Sequence, residues 1–320
     1  MPLITATGAT LEHIMDGTYP IWNEGLSREA YSRWNRGQTQ TAWGREALKR
    51  VALVDGQTVL SSAKSYSFDG LIGGQRVPVL GIGAVFTPVE SRGRGHARTL
   101  LEEMMADAAA RGSGLALLFS EIGASFYESL GFRVVPRSTY LIEVLQGRRA
   151  GAPATLVRSG EAGDLAALAA ITARYHAGSA FALDRTSDLI GFGLARRRLL
   201  AGLGPAGRRE VEFFVAEEAQ RAVAYVVITR VPQGLVLEDC GDYDPAGARV
   251  GAILQVMAAR DPSAPPMRLH GWLPRSFRPP QIRIVHEQPA GEIMMVRPLG
   301  SRSPTLDEAG ETVYWNLDVF

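Results

Sequence analysis

The sequence predicts a mixed α/β (α+β) fold with a mixed sheet, built as two similar domains in tandem, and three observations carry that expectation. Helix-like and strand-like hydrophobic patterns alternate along all 320 residues. The order of elements in the first half starts again near Ala154. Between the halves lies Gln146 to Pro153, a polar stretch rich in turn formers. The expected domains are therefore 1–147 and 154–300, with a tail over 301–320. With 46% apolar residues, each domain can supply its own core.

The first half opens with a short apolar run, Leu3 to Thr5, and two helical stretches, Thr10 to Trp22 and Ser27 to Arg36. Lys49 to Val54 and Thr58 to Phe68 flank Asp55-Gly56, a dipeptide suited to a tight hairpin turn. The turn-rich stretch Asp69 to Arg76 then leads into a strand over Val77 to Phe86. After the turn ESRGRGHA, the residues Ala97, Leu100, Leu101, Met104, Met105 and Ala108 recur on one helix face. Leu115 to Phe119 is wholly apolar and reads as a buried strand, followed by a helix containing Ser125 to Leu130 and a strand after Gly131.

The second half repeats this plan. A strand over Thr155 to Arg158 precedes helices at Glu161 to Tyr175 and Thr186 to Leu203. Strands follow at Val211 to Glu217, Ala222 to Ile228 and Leu235 to Glu238, then a helix at Ala246 to Ala259. Strands near Met267 to His270, Ile282 to His286 and Glu292 to Arg297 complete it. The tail reads as a Pro304-led loop and a short terminal strand.

Composition narrows the partners. There are 34 basic and 33 acidic residues, a formal charge of +1, so no global field recruits nucleic acid or an anionic membrane. A small molecule is the expected partner. The lone cysteine, Cys240, allows no intrachain disulfide, the N-terminus lacks a signal-peptide pattern, and no run approaches the roughly 20 apolar residues of a membrane helix. These features predict a cytoplasmic protein. No metal is expected, because Cys240 stands among the loop-like aspartates Asp239, Asp242 and Asp244 without histidines or paired thiolates, a pattern read as a turn leading into a helix.

The chemistry concentrates at Arg92-Gly93-Arg94-Gly95-His96-Ala97, between a strand and an amphipathic helix. The first-turn amides of that helix are donors without helical partners, and two glycines let an anion approach the main chain beside two arginines. This segment resembles the acetyl-coenzyme A signature of the GNAT acetyltransferases, Arg/Gln-x-x-Gly-x-Gly/Ala, at Arg92, Gly95 and Ala97. Phe126-Tyr127-Glu128-Ser129-Leu130-Gly131-Phe132 matches that family's F-Y-x-x-L-G-F segment, about thirty residues on, after the expected helix and a fifth strand ending at Ser120. One feature departs from the family: its proline stands three residues before the first arginine, whereas Pro88 stands four before Arg92.

The resemblance implies an N-acetyltransferase that moves acetyl from acetyl-CoA to a primary amine. It places the pantetheine arm on the main chain of Val85, Phe86 and Thr87, the pyrophosphate on the turn from Arg92 to Ala97, including His96, and Ser120 beside the cofactor. It gives Tyr127 the role of general acid to the departing thiolate. The strand Val77 to Phe86 holds no carboxylate, so the base is open among Glu121, Glu90, the carboxylate of Phe320 and water. The tandem plan resembles the enhanced-intracellular-survival acetyltransferases, which end with a carboxylate in the active site; that likeness puts Phe320 in a catalytic role. The acidic turn Gly241 to Gly247 marks the second domain as a degenerate copy. The alternatives are a non-catalytic acyl-CoA sensor or scaffold, and an enzyme for longer acyl chains.

Overall fold

The computed structural model describes residues 1–145, 156–260, 266–300 and 310–320. The expected linker Gln146 to Pro153 and the Pro304 loop lie outside the described residues. In the first half the chain runs β1 (Leu3–Thr5), α1 (Gly8–Trp22), α2 (Arg28–Gln40), α3 (Ala42–Ala47), β2 (Leu48–Asp55), β3 (Thr58–Ile72) and β4 (Gln75–Phe86). It continues through α4 (His96–Ala110), β5 (Leu115–Ser120), α5 (Ser125–Glu128), β6 (Arg133–Val135) and β7 (Ser138–Val144). The second half holds β8 (Leu156–Ser159), α6 (Leu165–Thr172), β9 (Ser179–Leu183), α7 (Ser187–Leu203), β10 (Glu210–Glu218), β11 (Arg221–Val231) and β12 (Gly234–Asp242). Then come α8 (Ala248–Ala258), β13 (Arg268–Gly271), β14 (Ile282–Pro289), β15 (Ile293–Pro298) and β16 (Glu311–Val313).

Local chemistry sets many of these boundaries. The Ser27 hydroxyl accepts from the amide of Ala30 at 3.2 Å and starts α2, and the Thr41 hydroxyl does the same for Gly44 at 3.0 Å in α3. The β2–β3 hairpin turns one residue later than expected, at Gly56-Gln57: Asp55 still pairs with Thr58, and only Gly56 takes a positive φ, +57°. The stretch expected as a turn, Asp69 to Arg76, is mostly strand: Asp69 pairs with Pro78 and Leu71 with Arg76, and only Gly73 and Gly74, both at positive φ, make the turn. Their freedom at positive φ allows the tight reversal. The sequence did not predict α3 or β9, and the single strand expected after Gly131 is two, β6 and β7.

The chain divides into two compact units, one of residues 1–136, 291–310 and 320, the other of 137–290 and 311–319. In the first, the strands follow the order β1-β2-β3-β4-β5-β15-β6, with β4 and β5 the one parallel pair among them. In the second the order is β14-β7-β13-β12-β11-β10-β8, and β16 pairs parallel with β9. The sheets therefore do not follow the two halves of the sequence. β7 completes the second sheet, and β15 enters the first between β5 and β6. The physical reason is the apolar run of β5, which requires a strand on each edge: β4 covers one, and Met294, Met295 and Val296 of β15, all buried, cover the other.

The core of the first unit is the expected face of α4. Leu100, Leu101, Met104, Met105 and Ala108 are buried against Leu80 and Ile82 of β4, Ala116 and Leu118 of β5, and Met295 of β15. Fully burying one such leucine stabilises the fold by roughly 1.5–3 kcal/mol, so the packing fixes α4 and with it the turn that precedes it.

Candidate active site

The parallel strands β4 and β5 pair from Val79 with Leu115 to Ile82 with Leu118, and no further. Beyond that point Ala84 and Val85 together face the single residue Ala63 on β3, a β-bulge in which Ala84 takes φ +46°. A bulge re-aims main-chain groups away from the ladder, here beside the place where β4 and β5 part. Val85 is half-buried there. Phe86 is buried, with its ring against Gly17 and its carbonyl accepting from the Ser61 hydroxyl at 3.0 Å. The Thr87 carbonyl accepts from Arg92 Nε at 3.1 Å. Two of the three expected pantetheine-binding residues thus have their carbonyls engaged by the protein.

The extra residue after Pro88 is taken up by a short 3-10 turn, Val89 to Ser91, which closes with the amide of Ser91 donating to Pro88. The turn expected to bind an anion follows. Gly93 and Gly95 have φ of +74° and +82°, and a Cβ on either would meet no protein atom within 4 Å. Glycine is needed here for backbone angle, and the space above the turn is open. Gly95 caps α4; Thr99 donates back to the Gly95 carbonyl, leaving the amides of His96, Ala97 and Arg98 as the unpaired first-turn donors. Arg92 is exposed but folded onto Thr87, whereas Arg94 is exposed and has no partner among the described residues.

On the other side of the parting, β5 leads to the single turn α5, which carries Tyr127. Its ring is 7% exposed and packs edge-on to Phe126 and Phe132, at centroid distances of 5.0 and 6.0 Å. Burial raises the phenol pKa, so the group keeps its proton throughout the neutral range. No described residue hydrogen-bonds its hydroxyl, which leaves the proton available to a ligand. The Ser120 hydroxyl, by contrast, donates to the Gly123 carbonyl at 2.6 Å and holds the loop before α5.

Two arginines that no sequence motif marks, Arg98 and Arg297, hold this turn. Arg98 of α4 donates to the Ser129 carbonyl at 3.3 Å and hydroxyl at 2.6 Å, and that hydroxyl donates to the Phe126 carbonyl at 2.6 Å. Arg297 of β15 donates to the Leu130 carbonyl at 2.6 Å. The i, i+4 spacing of Arg98 and Glu102 suggests only a surface pair, and Arg297 comes from a strand far along the chain.

Of the candidate bases, Glu90 and Glu121 are exposed. Phe320 belongs to the first unit, where its ring packs on Tyr66, Phe68 and Phe119 at centroid distances of 4.3, 5.8 and 5.5 Å. Its main-chain oxygen lies 3.5 Å from where a Cβ on Gly83 would be, next to the bulge at Ala84. The structure brings Phe320 to the same end of β4 as Val85.

The second unit repeats the pattern. β12 pairs parallel with β13, and between them Gly247, at φ +73°, caps α8 as Gly95 caps α4. Here the turn is closed on itself. The Asp242 carboxylate accepts from the amide and Nη1 of Arg249 at 2.8 and 3.1 Å and from the amide of Asp244 at 2.8 Å. An internal anion thus occupies the helix start. Contrary to the expectation of a turn, Asp239 and Cys240 lie buried in β12, with Asp239 paired to Arg185. Among the described residues no group of side chains suits a metal ion, and no helix is long and apolar enough to cross a membrane.

Comparison with known proteins agrees with this geometry. Residues 13–135 match the acetyltransferase (GNAT) domain family. No curated protein matches the sequence. Among solved structures, a GCN5-related N-acetyltransferase from Kribbella flavida superposes with a TM-score of 0.69 at 18% identity, over 93% of this chain and 70% of that one. Eis1 from Mycobacterium abscessus gives 0.52 at 17% identity over 86% and 72%. A tandem GNAT protein from the clavulanic acid biosynthesis pathway gives 0.52 at 11% identity over 93% and 98%. At such identities the likeness is one of fold. The signature turn, the parted strands and the family match agree that this chain carries a GNAT acetyltransferase domain over residues 13–135 and is an acyltransferase using an acyl-coenzyme A cosubstrate.

Proposed function

We propose that the first unit transfers acetyl from acetyl-CoA to a primary amine by direct attack. The observation that carries this reading is the parting of β4 and β5 after Ile82 and Leu118, with an open anion-binding turn on one strand and a buried, proton-bearing Tyr127 after the other. The amides of His96 and Ala97 and the guanidinium of Arg94 hold the pyrophosphate, with Gly93 and Gly95 giving close access and Arg92 supporting the turn from Thr87. The main chain at Val85, Phe86 and Thr87 lies along the pantetheine arm, and amides at the bulge polarise the thioester carbonyl.

The neutral amine attacks the carbonyl carbon, a C–N bond forms, the C–S bond breaks, and Tyr127 gives its proton to the sulfur. The carboxylate of Phe320 is the group that takes the amine proton; Glu90 and Glu121 are the solvent-facing alternatives. The lone thiol of Cys240, buried and unpaired with any other cysteine, favours action in the cytoplasm. The acceptor class is open among polyamines, aminoglycosides, free amino acids such as lysine, and protein lysine side chains.

Thiol release from acetyl-CoA across that set of amines, with Tyr127→Phe alongside, tests the reading. Amine-dependent release that the variant loses supports it. Binding of acetyl-CoA with no release by any amine contradicts it and favours a sensor or scaffold.

A further inference from the structure

We infer that Gly81 and Gly83 are positioning residues: they open a slot on β4 that seats the Phe320 ring between Tyr66, Phe68 and Phe119 and thereby fixes the carboxyl group of Phe320 beside the bulge. This deepens the proposed function and rests on the reading that this carboxylate takes the amine proton. Glycine inside a strand weakens it, so two in alternation on a central strand require a reason. Positive φ is not that reason, since neither Gly81 nor Gly83 adopts it. The reason is close approach. A Cβ on Gly81 would lie 2.7 Å from Phe320 Cζ, 2.7 Å from a ring carbon of Phe68 and 3.0 Å from Tyr66 Cβ. A Cβ on Gly83 would lie 3.3 Å from Phe320 Cδ2 and 3.2 Å from Tyr66 Cε2.

Residues two apart on a strand share a face, so the two glycines make one continuous groove along β4. The far end of the ring rests at Gly81, and the near edge and main-chain oxygen rest at Gly83. Tyr66 covers the ring at 4.3 Å, and Phe119 meets it edge-on at 5.5 Å with planes 81° apart, a favourable aromatic geometry. Ala84, with its strained φ, follows at once. A group held this way has its distance to the bulge set by the length of one phenylalanine side chain. Gly93 and Gly95 differ in kind, being glycine for backbone angle with open space above them.

Carboxypeptidase A, which releases C-terminal aromatic residues, reads the slot without any acceptor. Release of phenylalanine from the 320-residue protein is followed by mass spectrometry, with the melting temperature and acetyl-CoA affinity measured on each variant. Seated Phe320 is released only when it leaves the slot, so release tracks the open population. Gly81→Ala, and Phe119→Ala as a second variant that removes a wall without crowding the strand, are expected to lose Phe320 at least about tenfold faster than the wild type. Both should keep the wild-type acetyl-CoA affinity. Release from the wild type as fast as from both variants overturns the slot. Where an amine supports turnover, Phe320→Ala is expected to lower kcat about tenfold or more with KM for acetyl-CoA unchanged, and Phe320→Leu to restore most of it. An unaltered kcat in Phe320→Ala overturns the positioning role, while a slot intact by proteolysis in a protein inactive on every amine overturns the catalytic reading alone.

Discussion

As the proposed general acid, Tyr127 would have two tasks that pull against each other, to be buried enough to keep its proton and open enough to give it away. Its ring is packed by Phe126 and Phe132 while its hydroxyl is left without a partner among the described residues. Replacing it with phenylalanine preserves the packing, so kcat should fall about 10²-fold or more while acetyl-CoA affinity is unchanged, which steady-state kinetics and calorimetry check. The pH dependence has a definite sign. Because burial raises the pKa above the ordinary phenol value of 10.0, the acid form is lost only above that pH, and kcat should show no decline from this group below it. Tyr127, Arg92, Arg94 and the glycines could be proposed from the sequence because each belongs to a short motif whose chemistry is local. Arg98 was not: its target, Ser129, is far in sequence and close only because α4 and α5 flank the same strand.

At the scale of elements, α4 is the part the sequence specified most fully. Its apolar spacing named the buried face, which the structure shows with Ala97 half-buried at its start, whereas the capping role of Gly95 came only with the structure. Leu100→Ala should cost roughly 2–5 kcal/mol, measured by denaturant unfolding, since Leu100 is fully buried among β4 and β5 side chains. Gly95→Ala should cost roughly 1 kcal/mol or more, because alanine disfavours the left-handed conformation that starts the helix, and should weaken acetyl-CoA binding as well. The strands divide differently. The strand-like stretches of β2, β3 and β4, with a glycine turn beside Asp55, read as strands whose antiparallel partners are neighbours in sequence. β15 was legible as a strand and the stretch after Gly131 as one strand rather than the two, β6 and β7, that join different sheets; the sheet of each was not legible, because an apolar run states that an edge must be covered and does not state which edge. The longer β3–β4 hairpin was hidden for a related reason: polar residues such as Asp69 and Arg76 read as turn, yet they pair across an exposed edge.

For the whole molecule, one plan occurs twice with opposite outcomes at the glycine turn that starts the helix. Gly95 and Gly247 take the same left-handed cap, but the first helix start is open and the second is filled by Asp242. The second unit also carries a buried charge cluster. Arg185 Nε lies 3.1 Å from an Asp318 carboxylate oxygen, at an alignment too poor for a hydrogen bond, and Asp239 shares the same guanidinium. Burial, then the neighbouring Asp239 against the opposing pull of Arg185, leaves the Asp318 pKa raised from 3.8 to about 6. Between those values the folded state keeps a proton that the unfolded chain has lost, so falling pH favours folding through this group and its ionisation is a destabilising term above about 6. Asp318→Asn should therefore gain melting temperature relative to wild type as pH rises from 3.8 to about 6, with a constant difference above, which scanning calorimetry across pH checks. The central claim concerns the other unit, and calorimetric titration of acetyl-CoA tests it most directly. The wild type should bind at one site per chain, with Arg92→Ala, Arg94→Ala together weakening binding about tenfold or more; absence of binding to the wild type, or equal binding by the double variant, would contradict the assignment of this turn as the cofactor site.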